Sequence, residues 1–461
     1  MLFIKNPKLK ALPLLLSLSL IVLSCGKDDN PIQEEEEQEI LGTVELVKTY
    51  GGSGIDEAIS VVEAADGNYL VFGTTRSTDG DITGRSGNDS DYWLLKISKT
   101  GEIIWSKTYG GSDDENAARI SKTNDGGYLL SGYTTSNDGD VSGNEGFQDY
   151  WILKVDASGN KQWDKNFGFA GSDQAYKAFQ TSDGGYFITG FFDVSASGGA
   201  GNDIQSGSGD DLQRGVLHGV GEFWGIKLDA NGTKQWRRYF GGTNNDRSYD
   251  AFETADGGFL MTGTSESVDF DKTDPKGSYD YWAVRLTSSG ALVWTKSYGG
   301  AEIDNSYASI KANDGNYIMV GDSRSSDQDV TAPRGNADAW MVKFDDNGNK
   351  IWQKSFGGSQ FDTAHSIVQR NNGDFILSGH SRSNDGDLQS NNGYNDAWIF
   401  VVDQNGALKF QETVGGSGLD FASDAIETSD NKIVAVGNSE SNDLDIPINK
   451  GSKDFLIIKL K

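Results

Sequence analysis

The sequence predicts an all-β protein, a seven-bladed β-propeller with four-stranded blades, and three observations lead there. A unit of similar sequence recurs seven times, its last strand-like segment ending at Tyr50, Tyr109, Phe167, Phe240, Tyr298, Phe356 and Val414, so that the steps are 59, 58, 73, 58, 58 and 58 residues. Each copy holds four short segments rich in β-branched and aromatic residues, with Gly, Asp and Asn at the breaks. The seventh copy stops at Lys461, which aligns with Ser98 of the first, and the segment it lacks aligns with Gly42 to Tyr50. A single four-stranded sheet cannot bury both faces, so a fixed period of this size implies stacked units, and four strands per unit imply propeller blades. An open stack would need capping repeats. Here the N-terminal strand, Val44 to Thr49, completes the last blade instead, which removes both free edges of the ring.

Within the first copy the elements follow in order. Ala58 to Glu63 forms strand A, and the turn signal Asp66-Gly67 leads into strand B, Tyr69 to Thr75, as a hairpin. A loop of some sixteen residues precedes strand C, Tyr92 to Ile97; Lys99-Thr100-Gly101 then turns the chain into strand D, Ile103 to Thr108. No segment shows helical periodicity.

Ten of the eleven tryptophans come in pairs, one on strand C and one on strand D: Trp93 and Trp105, Trp151 and Trp163, Trp224 and Trp236, Trp282 and Trp294, Trp340 and Trp352. The eleventh, Trp398, is matched by Phe410, and the split blade carries Phe455 and Leu46. Rings repeated at fixed strand positions point to packing between blades. Burying each removes roughly 150–250 Å² from water, about 4–6 kcal/mol at about 25 cal/mol per Å² before entropy is subtracted. Gly73, Gly132, Gly190, Gly263, Gly321, Gly379 and Gly437 recur at one point of strand B, where a backbone must approach closely. Small residues opening strand A, such as Ala58, Ala117 and Ser248, are expected to line a crowded central channel.

Residues 1–25 differ in kind. Lys5, Lys8 and Lys10 precede an apolar run from Leu12 to Leu23, too short to span a bilayer and patterned as a secretion signal. The run ends Val22-Leu23-Ser24-Cys25, which resembles the bacterial lipobox, and Cys25 is the sole cysteine. The next residues, Gly26-Lys27-Asp28-Asp29, are similar to the export signal of surface lipoproteins of Bacteroidetes. These resemblances imply a signal peptide over 1–25, lipidation of Cys25 and an outer-membrane protein exposed at the cell surface. The stretch 26–42, with Glu34 to Glu37, reads as an acidic tether, leaving 43–461 for the propeller.

The formal net charge is −28, and cleavage before Cys25 would bring it to −31 by removing three lysines. No basic stripe is visible, so nucleic acid is not an expected partner. A single cysteine excludes intramolecular disulfides, so ring closure and aromatic packing must supply stability.

Both loops on one face of the ring are acidic. A carboxylate stands at the start of each strand A, at Asp56, Glu115, Asp173, Asp246, Asp304, Asp362 and Asp420. The B–C loops of six blades carry Ser-x-Asp-x-Asp, with Asp79 and Asp81, Asp138 and Asp140, Asp269 and Asp271, Asp327 and Asp329, Asp385 and Asp387, and Asp443 and Asp445. A third carboxylate opens strand C, at Asp91, Asp149, Glu222, Asp280, Asp338, Asp396 and Asp454. One reading is a calcium ion in each loop, because a hard cation takes oxygen ligands and alternate residues of a tight turn can aim carboxylates inward. The other is that each Asp accepts backbone N–H groups and fixes its turn without metal. No cofactor is required, and Ca²⁺ is the candidate one.

Catalytic pairings are poorly supplied. The three histidines, His218, His365 and His380, make no nucleophile pair by spacing, and carboxylates are too many to single out an acid/base couple. Individuality is expected where the repeat breaks, in the third blade, whose B–C loop is 15 residues longer and runs from Phe192 to Glu222. It carries Asp210, Asp211, Arg214, His218 and Glu222, the candidate ligand-binding set if this loop leans over the acidic face. A tolerated Gly/Ser-rich surface insertion explains it equally well.

Segments such as Asp183-Gly184-Gly185-Tyr186 and Lys227-Leu228-Asp229-Ala230-Asn231-Gly232 resemble the repeats of uncharacterised bacterial propellers, including the Delta-60 type. Lys154-Val155-Asp156-Ala157-Ser158-Gly159-Asn160-Lys161-Gln162-Trp163 is similar to the tryptophan-docking motif of quinoprotein propellers, though one residue shorter. Many quinoproteins add a vicinal disulfide that one cysteine cannot make, so the resemblance implies the blade scaffold alone. The expected function is a lipid-anchored, non-enzymatic binding module for a protein or glycan. A polysaccharide hydrolase or lyase, and a calcium-stabilised architectural protein, are the alternatives.

Overall fold

The structure, a computed structural model, describes residues 42–203 and 218–461. Seven four-stranded antiparallel sheets form the ring. In blade 1 the strands are Asp56–Glu63 (A), Tyr69–Thr75 (B), Asp91–Ile97 (C) and Ile103–Tyr109 (D). Blades 2 to 6 repeat this order through strand Leu408–Val414. Blade 7 consists of Asp420–Glu427, Ile433–Ser439 and Asp454–Leu460, completed by Val44–Tyr50 pairing antiparallel with Asp454–Leu460. The seven-bladed ring closed by its N-terminal strand is therefore as the sequence predicts.

The core sits between blades rather than at one centre. Seven apolar clusters are each shared by two neighbouring blades, and the cluster joining blades 7 and 1 packs Val434, Val436, Phe455 and Ile457 against Val61, Val71, Trp93 and Leu95. The strand C tryptophans Trp93, Trp151, Trp224, Trp282, Trp340 and Trp398 are fully buried. Five of them meet rings of the preceding blade, as in Tyr92 with Trp151 at 4.5 Å and Tyr281 with Trp340 at 4.6 Å between centroids, while Trp398 stacks on Phe400 of its own strand. The strand D tryptophans are mostly half-buried and cap the outer margin of each seam.

Every seam is also stitched by backbone in one way. The N–H of the first strand A residue donates to a carbonyl just before strand C of the preceding blade, as in Asp56 to Lys453 (2.8 Å), Asp173 to Gln148 (2.7 Å) and Asp304 to Tyr279 (2.9 Å). The seam that closes the ring thus has the same bonding as the others. The recurrent strand B glycine has a steric cause: a Cβ on Gly321 would lie 1.8 Å from the carbonyl oxygen of Asn305, and one on Gly73 would lie 2.0 Å from that of Glu57.

One expectation needs correction. The small residue at the third position of strand A mostly turns away from the channel: Ala58, Ala175, Ala364 and Ala422 are wholly buried, whereas Ala117 is partly exposed and does reach the axis. The next residue faces the axis, because each strand A carries a β-bulge there, between Ala58 and Ser60 in blade 1 and at the matching point in all seven blades.

Candidate functional site

The acidic face is built from turns that clasp one another. The strand A carboxylate accepts the N–H of a residue four positions earlier in all seven blades, at 2.7–2.9 Å, as in Gly52 to Asp56, Gly300 to Asp304 and Gly358 to Asp362. In the Ser-x-Asp-x-Asp loops the serine hydroxyl donates to that same carboxylate, as in Ser77 to Asp56 (2.8 Å) and Ser383 to Asp362 (2.8 Å), and accepts an N–H from the incoming linker.

The candidate metal ligands lie in this network. Asp79, Asp138 and Asp385 each accept a linker N–H, from Ser53 (2.7 Å), Ser112 (2.8 Å) and Ser359 (2.7 Å). Asp81, Asp140 and Asp387 accept from Gly51 (3.0 Å), Gly110 (3.4 Å) and Gly357 (3.1 Å). These oxygens face donors, whereas a calcium cradle presents oxygens to one point. Among the described residues, no three Asp, Glu, His or Cys side chains converge as metal ligands.

The strand C carboxylates form a second, buried layer. Asp149, Asp280, Asp338, Asp396 and Asp454 are at most 1 % exposed, and each has one oxygen bonded to a loop N–H and the other without a hydrogen-bond partner. The strand A carboxylate of the next blade stands close by: a Cβ on Gly51 would lie 2.4 Å from Asp454 Oδ1 and 2.6 Å from Asp56 Oδ2. Blades 1 and 4 supply their own counter-charge, Arg85 Nε at 2.5 Å from Asp91 and the buried Lys272 Nζ at 2.7 Å from Asp280. Elsewhere burial dominates, pushing Asp149, Asp396 and Asp454 up to about 6, Glu115 to about 7 and Asp173 to about 8.

In blade 3, His218 Nδ1 lies 3.2 Å from Glu222, both buried, with the imidazole stacked 5.0 Å from Phe270 of blade 4. Burial, followed by the neighbouring Asp246, raises the Glu222 carboxyl well above its ordinary range. Asp210, Asp211 and Arg214 lie outside the described residues. The first part of the insertion forms a short helix, Val194–Ser197, capped by Asp193. It then runs to the outer strand, where Asp203 pairs with Lys234 (2.8 Å) and Arg237 (3.2 Å) and Gly201 O accepts the Trp224 indole N–H (2.8 Å).

The sequence reasoning missed an axial pocket of about 300 Å³. Its wall includes the bulged residue of every strand A: Ile59, Ala118, Tyr176, Tyr249, Tyr307, His365 and Ser423. Four consecutive blades, 3 to 6, contribute an aromatic arc with centroid spacings of 4.7 Å for Tyr176 and Tyr249, 5.8 Å for Tyr249 and Tyr307, and 4.7 Å for Tyr307 and His365. At the bulged position blades 7, 1 and 2 contribute the small or aliphatic Ser423, Ile59 and Ala118 opposite, and blade 2 adds Tyr133 from its strand B. Burial pushes the His365 imidazole down to about 4, so it is neutral at physiological pH.

Arg119 also lines the pocket and reaches Asp424 of blade 7 (3.5 Å) and Asp250 of blade 4 (3.9 Å), while Lys177 of blade 3 bonds Asp250 at 2.5 Å. Four blades are tied together across the axis by these contacts. One signal could have revealed the pocket: down the seven copies the fourth residue of strand A varies freely, while the third is always Ala or Ser.

No family model matches the chain. It is 22% identical over 399 residues to the regulatory protein FlaEY of Caulobacter vibrioides, covering 77% of this chain and 40% of that protein, so the chain spans less than half of that relative's length. Among solved structures it is similar to a protein of unknown function from Bacteroides caccae (10% identity, 70% of this chain and 89% of that one, TM-score 0.40). It is also similar to the Pan2 WD40 domain of Neurospora crassa (10% identity, 88% and 89%, TM-score 0.46). A fungal alcohol oxidase of the AA5 family shows 13% identity over 91% of this chain and 76% of that one, with a TM-score of 0.48.

Proposed function

We propose that this chain is a non-enzymatic binding propeller that holds a protein or glycan ligand at the axial pocket and the B–C loops beside it. The observation that carries the reading is the break in symmetry at the axis: in a scaffold whose seams repeat seven times, the bulged residues differ from blade to blade and four of them form an aromatic arc. Concave sites lined by aromatic groups with a few polar ones are the usual form of ligand pockets. Phe147 and Tyr394, 66% and 75% exposed, add apolar contact area on the B–C loops. The carboxylates nearest the pocket, Asp424 and Asp250, are engaged by Arg119 and Lys177, which favours binding over acid/base hydrolysis there.

In this reading Cys25 carries the lipid and the acidic stretch 26–42 is the tether that presents the ring at the outer cell surface. Among the described residues no helix is long and apolar enough to cross a membrane. A glycan-array and cell-surface pull-down screen tests the reading. Saturable capture lost on altering the axial wall supports it, and capture of nothing by folded protein contradicts it. Mass of the mature N-terminus tests the anchor: a lipid on Cys25 is expected, and an unmodified Met1 or Cys25 would refute it.

A further inference from the structure

We propose that the axial pocket takes a single neutral sugar ring, the terminal residue of a glycan, inserted end-on. The proposal rests on the binding reading above and names the ligand class of the same site. It follows from the shape of the pocket, the asymmetry of its wall and the charge balance of its floor.

Ion pairs cross the axis from Arg119, a residue of the pocket wall. Arg119 spans from Asp424 to Asp250 and Lys177 joins Asp250, so blades 2, 3, 4 and 7 meet across the axis. With the axis spanned by these ion pairs, the site suits the end of a chain better than its middle. A volume of about 300 Å³ stands at the lower limit for small-molecule sites, the size of one ring unit. The wall is uneven: Tyr176, Tyr249, Tyr307 and His365 form an aromatic arc, while Ala117, Ala118 and Ser423 are small and leave room beside Tyr133. A pyranose has an apolar C–H face that packs on an aromatic ring and an equatorial rim of hydroxyls that need partners.

The polar groups suit hydroxyls rather than charge. Asp424 already accepts from Ser60 Oγ (2.8 Å) and Val61 N (3.1 Å), and Asp250 accepts from Ser309 N (2.9 Å), so the floor carboxylates are held in place. Two fixed carboxylates balance Arg119 and Lys177, and a ligand carboxylate placed here would meet both at short range. The long Arg119 contacts leave its guanidinium able to donate to a hydroxyl oxygen. A neutral His365 imidazole provides one donor and one acceptor, matching the dual character of a hydroxyl.

The test uses the full-length protein in a detergent without a sugar headgroup. Calorimetric titration with the methyl glycosides of glucose, galactose, mannose and N-acetylglucosamine, and with glucuronic acid, is paired with glycan-array binding. Two variants bracket the pocket: Tyr249→Ala removes a stacking face and Ala118→Trp fills the space opposite, with Ser423→Trp as the second filling variant if Ala118→Trp does not fold. At least one neutral sugar is expected to bind and to compete with array binding, both variants to weaken it about tenfold or more, and glucuronic acid to bind less well. Array or protein capture that no neutral sugar competes, or that filling the pocket leaves unchanged, would overturn the proposal while leaving a binding module. Tighter binding of glucuronic acid would also overturn it, and absence of any capture would overturn both readings.

Discussion

The seams between blades and the wall of the axial pocket are made from the same strands, yet they obey opposite rules. At a seam every blade repeats one solution: a carboxylate at the head of strand A collecting linker N–H groups, a buried aromatic on strand C (tryptophan in six blades, Phe455 in the seventh) and a glycine on strand B that lets the two strands close. One residue past the small third position of strand A the copies diverge, and Ile59, Ala118, Tyr249, His365 and Ser423 stand at equivalent points. A seam must fit its neighbours on both sides, so a change in one copy costs stability. A bulged residue projects into open space at the axis and can differ from blade to blade without disturbing a seam. Stability is written in what repeats and specificity in what does not.

This contrast predicts a graded set of effects. The largest is at the seam core: Trp340→Ala removes a wholly buried ring that stacks on Tyr281 and donates to Gln353 at 2.7 Å, and about 3–5 kcal/mol of stability should be lost in urea unfolding. A loss below about 1 kcal/mol would show that the seams are not the load carriers. Next is Asp304→Ala, which leaves the Gly300 N–H and the hydroxyls of Ser323 and Ser325 without their acceptor and should cost about 2–3 kcal/mol. The paired change Asp385→Ala, in an exposed loop, should cost less than about 1 kcal/mol. Equal costs would erase the distinction between seam and loop.

The pH dependence is a smaller and collective effect. Burial raises Asp149, Asp396 and Asp454 to about 6, Glu115 to about 7 and Asp173 to about 8. Acids whose folded pKa lies above the unfolded value bind more protons when folded, so their contribution is full below about pH 4 and is lost as pH rises through 6 to 8. Asp125, Asp183 and Asp256 work oppositely, held near 2 by hydrogen bonds and by Lys154, Lys227 and Arg285, but they stand in exposed turns where solvent screens the effect. The melting temperature should therefore fall from pH 5 to pH 8, and a rise over that window would contradict the assignment. The smallest expected effect is that of chelation. With each loop aspartate already accepting N–H groups, EDTA should leave the melting temperature unchanged, and a fall restored by added Ca²⁺ would place calcium in the Ser-x-Asp-x-Asp loops.

The fold was legible in the sequence because a closed ring imposes its period on the chain. Tryptophan pairs, Gly-Gly linkers and a missing final strand recur or complement one another at fixed spacing, and each has a packing cause visible without coordinates. The axial pocket was not legible, for a physical reason. Strict alternation assigns inward and outward faces by a period of two, and a bulge breaks that period at the one residue that matters. Small size pointed instead to Ala58 and its equivalents, most of which the structure buries. The blade 3 insertion drew notice because it was irregular in length, whereas its described beginning packs on the outer strand through Asp203, Lys234 and Arg237 and its end buries His218 against Phe270. Irregular length and irregular composition are separate signals, and at the axis only the second was present.

The three histidines make the central claim directly measurable. His365 lines the axial pocket, His380 stacks on it at 5.3 Å, and His218 lies apart in the seam between blades 3 and 4. Histidine-selective NMR of the protein, titrated with the neutral-sugar panel and with a cell-surface glycan extract, should show the His365 and His380 resonances shifting and saturating while His218 stays fixed. Movement of His218 with His365 unchanged would put the ligand at the blade 3 insertion and contradict the account.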